Sequence, residues 1–104
     1  MAIPIFKSTE DAYRFGVTAT SEDIRSLLTL RKESEVLCNT LMASAIEAGE
    51  GGHNDVFDEI LDRASIEVTR KQLYDEALQK AHEIATGLKC GTEDAVTYYQ
   101  KGGN

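Results

Sequence analysis

The chain lacks tryptophan, has a single proline, and is poor in aromatic residues, which make up 7% of its 104 residues. A core without many rings must be built mainly from Leu, Ile, Val and Ala. Hydrophobic residues reach 41% and charged residues 28%, which is typical of a folded globular domain. The length fits one domain, so we predict a single domain over residues 1–104.

Cysteine is scarce, and the sequence predicts neither a targeting segment nor a membrane anchor. Two cysteines, Cys38 and Cys90, do not make a disulfide framework and indicate reduced thiols, which we favour over a bridge between them. Met1–Glu10 has neither a basic region nor a long apolar run, and nothing approaches the length of a membrane span. These observations predict a soluble cytoplasmic protein.

Positive charge is scarce. Lys and Arg number 11 against 18 Asp and Glu, which gives a net charge of −7. Such a surface repels phosphate backbones and anionic lipid, so we expect neither a nucleic-acid nor a membrane partner.

The longest regular pattern lies in Asn54–Leu88, which has no proline and whose only glycine is Gly87. Apolar residues recur there three and four apart, which predicts helix throughout. At about 100° per residue, the apolar stripe up to Val68 and the stripe from Tyr74 onward differ in direction by about 130°. The stretch is therefore either two helices or one long helix that serves two partners.

Local sequence favours the two-helix interpretation. Thr69 and Gln72 have the spacing of a capping box, and Ser65 is small, so we predict a break near Ser65–Lys71. A continuous helix would instead be stronger evidence for a second chain packed on the rotated stripe.

The segment Tyr74–Leu78, YDEAL, resembles the start of the second helix of a tetratricopeptide repeat, which pairs two helices within about 34 residues. Ser65 and Ala77 keep the repeat's small positions, whereas its Trp, Gly, Phe and Pro are missing. The resemblance covers one repeat, about a third of the chain, and implies a turn at Thr69–Gln72. It does not assign the chain to that family.

A second helical pattern runs from Ile24 to Ala48, with Gly49 as its predicted end. The loop Glu50–His53 follows, and Asn54 is a natural cap for the next helix. Two long helices joined by a short glycine loop predict an antiparallel hairpin that forms the bulk of an all-α fold.

Short segments flank the predicted hairpin. Residues 1–7 form an arm whose apolar side chains we expect to dock, and Ser8 caps a short helix that ends at Gly16. Thr92 begins a last short helix, and residues 102–104 are expected to be disordered. The rotated stripes leave apolar surface that one hairpin does not cover, so we expect a homodimer to complete the bundle.

No catalytic motif with specific spacing occurs, and we expect no cofactor. The best metal candidates are acidic residues within two turns of one helix, where two carboxylates could share Mg²⁺ if a second helix added oxygens. Ordinary solvated helix faces explain this spacing better, so we predict no metal site. The candidate residues are Asp55, Asp58, Glu59 and Asp62.

Arg31, Ser34 and Glu35 interrupt the apolar face of the second helix. Because Arg31 and Glu35 are four apart, they can pair, and a solvated ion pair is the favoured interpretation. The alternative is a buried polar cluster that sets the register of packing or lines a site.

We therefore expect a small acidic helical module for protein–protein interaction or assembly, without catalytic activity. Its partner is a protein or a second copy of the chain. The predicted interface residues are Ile5, Phe6, Tyr74 and Leu78. The alternative is a metal-dependent, all-α enzyme that processes phosphates or nucleotides with the acidic helix.

Overall fold

Residues 5–89 and 91–101 are described by a computed structural model, and they form four helices without any strand. The predicted all-α fold class is confirmed for this part of the chain. The helices are α1 (Thr9–Thr18), α2 (Ser21–Glu50), α3 (Asn54–Thr86) and α4 (Thr92–Gln100). Predictions for residues 1–4, for a bridge to Cys90 and for the tail at 102–104 lie outside the described residues.

The first helix begins where the sequence predicts. The Oγ of Ser8 accepts a hydrogen bond from the backbone N–H of Asp11 at 3.2 Å. The predicted end at Gly16 is wrong, because α1 continues past it and buries this glycine against α3. A Cβ at Gly16 would lie 2.6 Å from the carbonyl oxygen of Ala77 and 2.8 Å from the Cβ of Lys80. The missing side chain lets α1 lie directly on the backbone of α3.

A complete capping box starts α2. The hydroxyl of Thr20 accepts from the N–H of Asp23 at 3.1 Å, and the carboxylate of Asp23 accepts from the N–H of Thr20 at 3.0 Å. Ser21 is the first residue of this helix rather than its cap. The predicted stop at Gly49 is wrong, since α2 runs on to Glu50.

Gly51–His53 joins α2 to α3, with Gly52 at a φ of 78°, which favours glycine. Asn54, the predicted cap, is instead the first residue of α3, and the preceding His53 makes no capping side-chain bond.

The two long helices contact each other near the loop and far from it. Close to the loop, a Cβ at Gly49 would lie 3.3 Å from a ring carbon of Phe57. Far from it, Arg31 of α2 binds Asp75 of α3. These contacts make the α2–α3 pair the longest packed unit in the described chain.

The third helix is continuous, so the predicted break near Ser65–Lys71 is wrong. The hydroxyl of Thr69 donates to the carbonyl oxygen of Ser65 at 3.1 Å, a bond that Thr makes inside helices. Thr69 therefore does not cap a second helix, and the turn implied by the tetratricopeptide resemblance does not form.

The last helix packs on the final turns of α3. The side-chain amide of Gln79 donates to the hydroxyl of Thr92, and the ring of His82 lies 4.7 Å from that of Tyr98 in an edge-on arrangement. Thr92 is thus the first residue of α4 and contacts α3, while Gly91 precedes it.

Large side chains are buried at only one end of the α2–α3 pair. Leu27 and Leu78 are the largest fully buried side chains, and α1, α4 and Phe6 cover them. The core cluster comprises Phe6, Ala12, Ile24, Leu27, Ala77, Leu78, Ala81 and Val96.

The other end of the α2–α3 pair buries no large side chain. We define the tip as residues 38–68, which are the end of α2, the loop and the first half of α3. Every buried residue of the tip is small: Cys38, Ala45, Ala48 and Ala64. The tip therefore lacks the buried large side chains that stabilise the opposite end.

Candidate functional site

A polar cluster links α2 to α3 where the core ends. The Nε of Arg31 lies 2.5 Å from one carboxylate oxygen of Asp75, and the Nζ of Lys71 lies 3.3 Å from the other. Glu35 adds a longer contact of 3.7 Å to Arg31. The side chains of Arg31 and Asp75 are 14% and 11% exposed, so this is a largely buried ion pair.

The sequence identified only one half of this cluster. It singled out Arg31, Ser34 and Glu35 on α2 and favoured a solvated pair of Arg31 with Glu35. The shorter contact is to Asp75, 44 residues away, and Ser34 is buried beside it on α2. On α3, Lys71 and Asp75 are four residues apart, and this spacing alone would have predicted that they can pair.

The contacts within the cluster indicate a structural role. Both oxygens of Asp75 already accept from cations, and Arg31 is shared between two carboxylates. A buried pair of this kind is costly to misalign, because each charge loses water and depends on its partner. We infer that the Arg31–Asp75 ion pair fixes the register in which α2 packs against α3.

The acidic residues Asp55, Asp58, Glu59 and Asp62 are all exposed on the first turns of α3. Within the described residues, no three His, Cys, Asp or Glu side chains come close enough to hold a metal ion. The geometry therefore gives no support to the alternative of a metal-dependent enzyme.

The four predicted interface residues are placed very differently. Leu78 is fully buried, and Phe6 is buried with its ring 5.3 Å from that of Phe15 and 6.1 Å from that of Tyr74. The predicted docking of the arm is thus seen for Phe6, whereas Ile5 is 83% exposed. Only Ile5 and the half-buried Tyr74 remain available to another chain.

Burial also affects the phenol of Tyr74. Desolvation raises its pKa, the positive charge of Arg70 opposes the increase, and Glu67 and Glu33 add to it. The neutral phenol is therefore the form that packs against Phe6, and Tyr74 belongs to the edge of the core.

The tip exposes five large apolar side chains that the interface prediction did not include. They are between 45% and 59% exposed, large, and distributed over both helices. Two of them, Met42 and Ile46, lie on α2, where the neighbouring Ala45 is buried instead. The exposed members are Met42, Ile46, Val56, Ile66 and Val68.

Comparison with protein-family models, curated proteins and solved structures finds no match to this chain. No helix in the described ranges is both long enough and apolar enough to cross a membrane.

We expect Asp75→Asn to lower the free energy of unfolding by about 1–3 kcal/mol, because it leaves Lys71 without its carboxylate and Arg31 with only the longer contact to Glu35 in a partly dry site. Glu10→Gln is the matched control, since it removes the partner of Arg14 in a pair that is 73% exposed on both sides. The control should cost less than about 0.5 kcal/mol. Urea denaturation measures both values, and equal losses would contradict a structural role for the buried pair.

Proposed function

We propose that this chain is a helical module for protein–protein interaction or assembly, without a catalytic step. In this proposal α2 and α3 form an antiparallel hairpin whose tip completes a helical bundle with another chain. The observation that carries the proposal is the tip itself, where five large apolar side chains are exposed while every buried residue is small.

The packing of the tip supports this use. The fully buried residues of the tip, Cys38, Ala45, Ala48 and Ala64, contribute little apolar area each, because their side chains are small, and the larger Leu41, Phe57, Ile60 and Leu61 are only partly buried. The larger side chains on both helices gain that free energy only when another surface covers them. In a bundle of three or four helices, neighbouring helices pack at small crossing angles and supply such a surface along their length.

The continuity of α3 also supports the proposal. Its apolar stripe changes direction along the helix, and the second stripe is taken up by α1, α4 and Phe6 at one end. Within the described residues no helix covers Val56, Ile66 or Val68 at the other end. A long helix whose two halves have different neighbours is expected to present its bare half to a partner.

A second copy of the chain is one candidate partner, and a homodimer would complete the bundle through two tips. Each tip is acidic, so its dimer should strengthen as salt screens the repulsion. We expect sedimentation at micromolar concentration to show a dimer fraction that increases with salt. Monomer at every salt concentration would contradict the homodimer.

The broader proposal is tested by affinity capture from cells that express the chain. We expect Met42→Ser combined with Ile46→Ser to lose a protein that the unaltered chain retains, because the apolar contact is removed. Val17→Ser combined with Ile84→Ser is the matched control, as these residues have similar exposure but lie outside the tip.

Circular dichroism should show the same helix content for both double variants, since all four side chains are at least 45% exposed. An identical set of retained proteins for the tip variant, the control and the unaltered chain would contradict a role for the tip in binding.

A further inference from the structure

The negative charge of the chain is concentrated on the tip. Residues 38–68 contain seven acidic residues and one basic residue, so they carry −6 of the total net charge of −7. The other 73 residues contain eleven acidic and ten basic residues and are nearly neutral. The tip is thus the part of the molecule where bare apolar side chains and excess negative charge occur together.

Excess charge and apolar exposure place two separate requirements on any partner. The exposed side chains of Met42, Ile46 and Val68 need an apolar stripe to cover them. The exposed carboxylates of Asp58 and Asp62 on the same tip need cationic side chains beside that stripe. A partner with only one of the two properties would leave either apolar surface in water or carboxylates without a counter-charge.

We propose that the tip binds a basic amphipathic helix of another protein. This inference rests on the proposed function and names the chemistry of its partner. A second copy meets the apolar requirement but brings −6 against −6, so it is the weaker partner wherever salt does not screen this repulsion, and a nucleic acid or an anionic membrane is repelled by the same charge.

The dimensions of the tip fit a helical segment. Its two helical stretches, 38–50 and 54–68, are each about 20 Å long at 1.5 Å per residue. A partner helix of about 14 residues spans this length and presents anchors at i, i+3, i+4 and i+7. Met42 adds a flexible side chain that adapts to the shape of such anchors.

The proposal is tested with three labelled peptides of 18 residues, whose binding to the full chain is followed by fluorescence anisotropy at low salt. One has a leucine stripe with lysines on the other face, one has the same stripe with glutamates, and one has the lysines without a stripe. We expect the Leu/Lys peptide to bind at least about tenfold more tightly than the other two. Its binding should weaken by about tenfold or more in high salt.

Matched charge variants locate the binding site. The tip variant combines Asp58→Asn, Glu59→Gln and Asp62→Asn, and it should bind the Leu/Lys peptide about tenfold more weakly. The control combines three exposed substitutions outside the tip and changes net charge equally, with an expected effect below about twofold. The control substitutions are Glu10→Gln, Glu22→Gln and Glu93→Gln.

Met42→Ser combined with Ile46→Ser tests the apolar requirement and should also weaken Leu/Lys binding by about tenfold. Unchanged binding in this variant, or equal losses in the tip and control charge variants, would overturn the proposal. So would tight binding of the Leu/Glu peptide. A dimer at low salt that the Leu/Lys peptide does not dissociate would likewise overturn it.

These experiments distinguish a wrong partner from a wrong function. If the Leu/Glu peptide binds and loses affinity in the Met42→Ser, Ile46→Ser variant, the tip is an interaction surface and only the basic partner is wrong. If no peptide binds and affinity capture finds no protein that depends on the tip, the proposed function itself is wrong.

Discussion

The uneven burial of large side chains between α2 and α3 determines most other features of this molecule. Leu27 and Leu78 fill one end, and α1, α4 and Phe6 pack around them. Beyond the ion pair of Arg31 and Asp75, only small side chains are buried between the helices. The stable end and the bare tip are therefore consequences of one pattern, in which the apolar area buried per turn falls along the pair.

Local features of the sequence predicted local structure well. The cap at Ser8 and the helical character of all four elements follow from residues within a few positions of one another. Features that depend on distant residues were not predictable in this way. Gly16 has the properties of a helix end, but it lies within α1 because α3 approaches its backbone. Thr69 has the spacing of a cap, but tertiary packing keeps α3 continuous around it.

The candidate sites show the same division. Arg31 was noticed because a charge interrupts an apolar face, yet its partner Asp75 is on another helix, and no local pattern connects them. The apolar pattern from Ile24 to Ala48 predicts a helix but not which of its members are buried, and at the tip these are Cys38, Ala45 and Ala48. Met42 and Ile46, in contrast, are 45% and 57% exposed. The net charge of the tip, by contrast, follows from the sequence alone, once the fold shows that residues 38–68 form one end of the α2–α3 pair.

Large side chains are fully buried at one end of the α2–α3 pair, whereas every buried residue of the tip is small, so the tip should open more readily than the opposite end. Amide hydrogen exchange of the free monomeric chain tests it most directly, because it reports the free energy of local opening along both helices. We expect slow exchange around Leu27 and Leu78 and clearly faster exchange across residues 38–68. Uniform protection along the full lengths of α2 and α3 would contradict it.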